Sequence, residues 1–133
     1  MAIRPPEQWR ARLQEEAAGL DAGRLAPEDA FMAELFPESL LAATDSALLA
    51  FESDLSLLGT PDDRQVFEAV ERVVLVLNRI HEDHDGAGYE TEEREELCLY
   101  LDRTLVEHGI DVAALAARRG IDRAEITDDW RDW

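Results

Sequence analysis

The sequence predicts an all-α fold: a compact bundle of about six or seven helices, with a long central helix over about residues 61–81 and short C-terminal helices. Three observations carry that expectation. Apolar residues recur three and four apart from Trp9 to Ile126, which lines one face of a helix. Pro6, Pro27, Pro37 and Pro61 each stand directly before Glu or Asp. Proline suits the first helical position, and an acid there complements the helix dipole. Glycine closes the later apolar stretches, at Gly59, Gly109 and Gly120. At 133 residues the chain is expected to form a single domain, 1–133.

Taken in order, the first helix is expected from about Pro6 to Leu20, with Trp9, Leu13, Ala17 and Leu20 on one face. "LDAG" breaks it, and a short second helix covers Pro27 to Leu35. The third follows Pro37 and stops at Gly59; Leu41, Leu48, Phe51, Leu55 and Leu58 make one stripe. The fourth runs from Pro61 to about His81, with Thr60 as expected N-cap and Pro61 at the first position. Val66, Phe67, Val70, Val73, Val74, Leu77 and Ile80 form its stripe, and Leu75 and Val76 widen it. A helix apolar over so much of its circumference belongs at the centre. "VVLVL" has β-branched character, but its flanks continue the helical period without a turn signal. The fifth helix starts near Thr91, the expected cap, buries Leu97, Cys98, Leu101 and Leu105, and ends at Gly109. "GID" then occurs twice, at Gly109–Asp111 and Gly120–Asp122. Each reads as a left-handed stop, an apolar staple and the next N-cap. That gives a sixth helix from Asp111 to Arg119 and a short seventh from Asp122.

Charge separates this chain from an average domain. It carries 31 acidic against 13 basic residues, a net −18, and every basic residue is arginine. The missing lysine reads as the codon bias of a GC-rich, bacterial genome. So acidic a chain is a poor partner for DNA, RNA or anionic lipid, whose phosphates need clustered cations. It suits a basic protein, a divalent metal, or solubility itself. One cysteine, Cys98, forms no internal disulfide and anchors no cysteine zinc site, as expected in a reducing cytoplasm. The opening "MAIRPPEQW" lacks the apolar region of a signal peptide, and no apolar run reaches the ~18 residues of a membrane span.

The stretch "HEDHDGAGYETEE", His81 to Glu93, is the first candidate site. It resembles an EF-hand loop in part. With Gly86 at the invariant glycine position, Asp83 and Asp85 fall on oxygen-ligand positions and Glu92 on the bidentate one. His81 stands where a carboxylate belongs, and Gly88 where a branched apolar residue belongs. A transition metal would use His81 and His84 with Asp83 or Asp85. The simpler expectation is a helix stop and a solvated turn.

The second candidate is "VAALAARRGIDRAEITDDW", Val112 to Trp130, which resembles a helix-turn-helix. Ala116 and Gly120 hold the four-residue spacing, with Leu115, Ile121 and Ile126 as core positions. Arg119 and Asp129 interrupt the apolar pattern. The would-be recognition helix carries Asp122, Glu125, Asp128, Asp129 and Asp132 against Arg123 and Arg131, a charge that phosphate repels. Trp130 and Trp133 either clamp the tail onto the body or meet a partner, where tryptophan is enriched.

Catalytic patterns are missing. Cys98 lies on an apolar face, Ser39, Ser46, Ser53 and Ser56 lie in one helix without a motif, and no histidine follows an acid by three residues. There is no phosphate loop and no dinucleotide fingerprint. The expected function is therefore a non-catalytic protein-interaction module without a cofactor. It resembles inhibitor or immunity-type proteins in size and charge, without their motifs, and would face a basic partner. The alternative is a metal-binding helical protein using the 81–93 loop.

Overall fold

The computed structural model describes residues 3–23, 26, 37–84 and 89–133. Among these the chain forms five α-helices and a 3-10 turn, with no strand. The helices are α1 (Pro5–Asp21), α2 (Glu38–Leu58), α3 (Asp63–Asp83), α4 (Thr91–Glu107) and α5 (Val112–Arg119), followed by the turn Arg123–Glu125. The second helix expected over Pro27–Leu35 falls outside the described residues.

Capping chemistry moves two helix starts from where proline and threonine suggested. α3 begins one step after Asp62, whose carboxylate accepts the Gln65 N–H at 2.8 Å while the Gln65 side chain accepts the Asp62 N–H at 3.0 Å. This reciprocal box satisfies two orphan donors. Thr60 is therefore not the cap, and Pro61 precedes the helix instead of opening it. At α4 the N-cap is Glu90, not Thr91, and its carbonyl accepts the Arg94 N–H.

The two "GID" stops behave alike. Gly109 and Gly120 take positive φ, and the following isoleucine N–H reaches back to Leu105 and Ala116 respectively. These are Schellman-type closures. Asp111 then caps α5 through the Ala114 N–H. After Asp122 the expected seventh helix shrinks to one 3-10 turn. The β-branched Thr127 and the paired aspartates behind it are weak helix formers, and the Thr127 side chain is drawn into the interior.

α2 and α3, joined by a short turn at Gly59, pack against each other as a hairpin. α1 lies against α2 and α4, and α5 joins α4 to the closing turn. The core they enclose holds Trp9, Leu48, Phe51, Val70, Leu77 and Leu101, among others. α3 buries Val66, Phe67, Val70, Val73, Val74, Leu77 and Ile80 as expected, together with Ala69, Asn78 and His81. Leu75 and Val76, however, remain 48% and 46% exposed. They point away from the single packed face, so α3 is amphipathic and is not wrapped on all sides. No helix among the described residues is long and apolar enough to cross a membrane.

Several arginines pair with carboxylates within the fold. Arg4 reaches Glu52, Arg10 holds Asp45 and Glu38, and Arg12 holds Glu96 and Glu92, tying α1 to α2 and α4. Arg118 grips Asp63 with two parallel bonds and Arg123 does the same with Asp102. Such forks suit guanidinium better than ammonium.

Candidate functional site

The end of α3 carries the residues singled out as metal ligands, and the fold uses them differently from one another. His81 is buried at the helix end, where its Nδ1 accepts the Tyr89 N–H at 3.1 Å. Its ring stacks on Tyr89 at 5.7 Å between centroids and 10° between planes. An accepting Nδ1 makes the neutral imidazole the Nε2–H tautomer. Burial, with help from the Arg94 charge, holds its pKa below the ordinary imidazole value. His84 donates Nδ1–H to the Ile80 carbonyl at 2.8 Å, which leaves Nε2 to accept from Ser39 Oγ at 3.0 Å. Asp83 is exposed to solvent. Glu92 is largely exposed and pairs with Arg12 at 3.3 Å. Asp85 lies outside the described residues. Among those described, no three His, Cys, Asp or Glu side chains gather closely enough to hold a metal ion.

Tyr89 is the residue that sequence reasoning missed. Its side chain is buried, its Oη shares a 2.7 Å hydrogen bond with Thr44 of α2, and its carbonyl accepts from Arg94. Its ring meets Trp9 of α1 at 6.2 Å and the edge of Trp133 at 5.7 Å. One aromatic residue in the connector thus touches α1, α2, α3 and the C-terminal segment. Its phenol pKa is raised by burial, so it stays neutral. The signal in the sequence was slight: a lone tyrosine within an acidic, glycine-containing stretch.

The two tryptophans of the last four residues are placed unequally. Trp133 is buried, 6% exposed, and its indole Nε1 has no hydrogen-bond partner. Trp130 is half-buried against Phe67, and the Arg119 guanidinium lies over both rings. Arg119 was expected to be an awkward charge at an apolar position of a helix-turn-helix. It is instead the cation of a cation–π pair, and it also bonds Asp129. With one 3-10 turn where a recognition helix would begin, residues 112–130 do not form two crossing helices.

Nucleophiles and bases are present but separate. The Cys98 Sγ receives the Arg131 Nη1–H at 3.1 Å, yet burial keeps its thiol pKa raised above the ordinary value. Ser56 Oγ approaches His108 Nε2 at 3.4 Å, a looser copy of the Ser39–His84 contact. Both pairs lie at the exposed ends of helices. In each, the second ring nitrogen faces a backbone carbonyl instead of a carboxylate. Glu93 is a carboxylate driven inside, only 5% exposed, and burial raises its pKa.

The surface offers grooves, not clefts. One of about 450 Å³ lies between the start of α1 and the outer face of α4, floored by Leu99, Tyr100 and Val106. Another of about 460 Å³ lies between α2 and α3, walled by Ala47, Ala50, Val73 and Val76. On the surface of the described residues Glu15, Asp21, Glu82, Asp83, Glu90 and Glu95 stand exposed. No protein-family model, curated protein or solved structure matches this chain.

Proposed function

We propose that this chain is a non-catalytic interaction module of the cytoplasm, whose acidic exterior engages a basic protein in the manner of an inhibitor or immunity protein. The observation that carries the reading is the unequal use of charge. The net −18 coexists with arginines already held by intrachain carboxylates, such as Arg10 by Asp45 and Arg118 by Asp63. The surplus acids face solvent and have no reason to be there for folding, since like charges repel within a compact state. They create a negative field that steers a cationic protein and rejects phosphate-bearing partners.

The test is comparative capture from a cell extract. The natural chain and a variant carrying Glu15→Gln, Glu82→Gln, Asp83→Asn and Glu95→Gln serve as baits. The proposal expects the natural chain to retain one or a few proteins of high isoelectric point, and the variant to lose them. Retention of the same proteins by both baits, or of acidic proteins only, contradicts it.

A further inference from the structure

We propose that the segment Trp130–Trp133 is a releasable strap, held on α3 by Asn78, and that the site it vacates accepts the same segment from a second copy of the chain. The inference is independent of the acidic-surface reading. It starts from Asn78, a buried amide on α3. Its Nδ2–H donates to the Trp130 carbonyl at 2.6 Å, and its Oδ1 accepts the Asp132 N–H at 2.9 Å. One side-chain amide thus reads an acceptor and a donor two residues apart on one edge of a chain. An asparagine can do this because it carries both functions at one end. Main-chain bonds of this kind hold a peptide, and pockets for alternate side chains choose it.

The pockets are there. Trp133 enters beside Tyr89, with the Arg131 guanidinium 5.2 Å above its ring. Trp130 rests against Phe67. Arg131 between them bonds Cys98 Sγ and Asp128. The Arg131 N–H still turns back to the Thr127 carbonyl, and the Asp132 N–H goes to Asn78. A segment fastened by side chains in this way opens separately from the helices behind it. The fit also has a fault: the buried Trp133 Nε1–H lacks an acceptor, which weakens the closed state. Once the strap leaves, both functions of Asn78 and the Tyr89 edge face outward. The sequence that fits them is Trp-Arg-Asp-Trp, which every copy of the chain carries.

The experiment titrates a labelled synthetic peptide, residues 126–133, into the full chain, into Trp133→Ala, and into Asn78→Ala/Trp133→Ala. About 0.5 M salt screens the repulsion between acidic peptide and acidic chain. Circular dichroism and thermal melting accompany each variant. The proposal expects Trp133→Ala to keep its helical signal and cooperative melt. It expects that variant to bind the peptide about tenfold tighter than the natural chain, whose own strap competes at high effective concentration. Adding Asn78→Ala should remove the binding. Loss of helix in Trp133→Ala overturns the proposal, because the segment is then part of the folded body. So does a folded Trp133→Ala that ignores the peptide, or binding that is equal in the natural chain or insensitive to Asn78.

Discussion

The Tyr89 backbone N–H donates to Nδ1 of His81 at 3.1 Å while the two rings lie nearly parallel. The contact requires a neutral imidazole, and burial keeps the His81 pKa below its usual value of 6.5. As pH falls, the unfolded chain therefore takes up this proton before the folded one. Stability from this group is complete above pH 6.5 and declines as pH drops below it, toward the lower folded pKa. Thermal melts between about pH 5 and 8 should show that decline, and His81→Gln should reduce it. A His81→Gln variant with an undiminished pH dependence would place its cause elsewhere.

Tyr89 joins four parts of the molecule, and its phenol and ring contribute separately. Tyr89→Phe leaves the buried Thr44 hydroxyl without its partner and should cost about 1–2 kcal/mol. Tyr89→Ala also empties the space between Trp9, His81 and Trp133, and should cost about 3–5 kcal/mol. Urea unfolding followed by circular dichroism measures both. Equal losses for the two variants would mean that the ring contacts contribute nothing.

The start of α3 discriminates between two caps. Asp62→Ala breaks the reciprocal box with Gln65 and should cost about 1 kcal/mol. Thr60→Ala, two residues earlier, should fall within about 0.5 kcal/mol of the natural chain. Guanidinium unfolding of both variants decides; a larger loss at Thr60 would return the cap to the position that the sequence suggested.

A metal ion at the end of α3 would have to displace contacts that the fold already makes there. His81 Nδ1 and both nitrogens of His84 are already engaged, and Asp83 and Glu92 do not converge on them. Calorimetric titration with Ca²⁺, Zn²⁺ and Ni²⁺ up to about 1 mM, the weak end of calcium binding by protein loops, tests whether an ion does so; heats of dilution alone would mean that the contacts hold. Stoichiometric binding, with loss of the Tyr89 contact in the histidine NMR signals, would show that the loop rearranges around an ion.

Burial of Glu93 has the opposite pH consequence from that of His81. Its carboxyl is held above the ordinary 4.5, so the folded chain keeps a proton that the unfolded chain releases. Its unfavourable contribution therefore grows as pH rises above 4.5, until the carboxyl of the folded chain ionises as well. Glu93→Gln should raise the melting temperature at pH 7 and change it little near pH 4. A fall at pH 7 would mean that the charged carboxylate has a favourable role in the fold.

Helical class, helix order and most of the core were legible because burial of one face imposes a period, and the period survives in Val66, Val70, Val73, Leu77 and Ile80. The same pattern overstated Leu75 and Val76, since hydrophobicity records what a residue tolerates and not which neighbours exist. Proline and threonine marked the region of the α3 start. Choosing Asp62 over Thr60 required the reciprocal bond to Gln65, which depends on geometry across three residues. The repeated "GID" was readable because positive φ leaves few residues but glycine. Tyr89 and Asn78 were not readable. Each has a partner 45 or more residues away in sequence, Thr44 for the first and Trp130 for the second, and no local spacing encodes such meetings. Arg119 illustrates the same limit: a charge that spoiled a sequence pattern is accommodated on the faces of two aromatic rings.

The most direct test of the acidic-surface account is the ionic-strength dependence of binding by the partner that capture identifies. Stopped-flow association between about 0.05 and 0.5 M salt reports the steering term separately from contact lifetime. The account predicts an association rate that falls steeply with salt while the dissociation rate changes little. An affinity that stays flat or strengthens across that range would contradict it, because apolar contact and not surplus carboxylate would then hold the pair together.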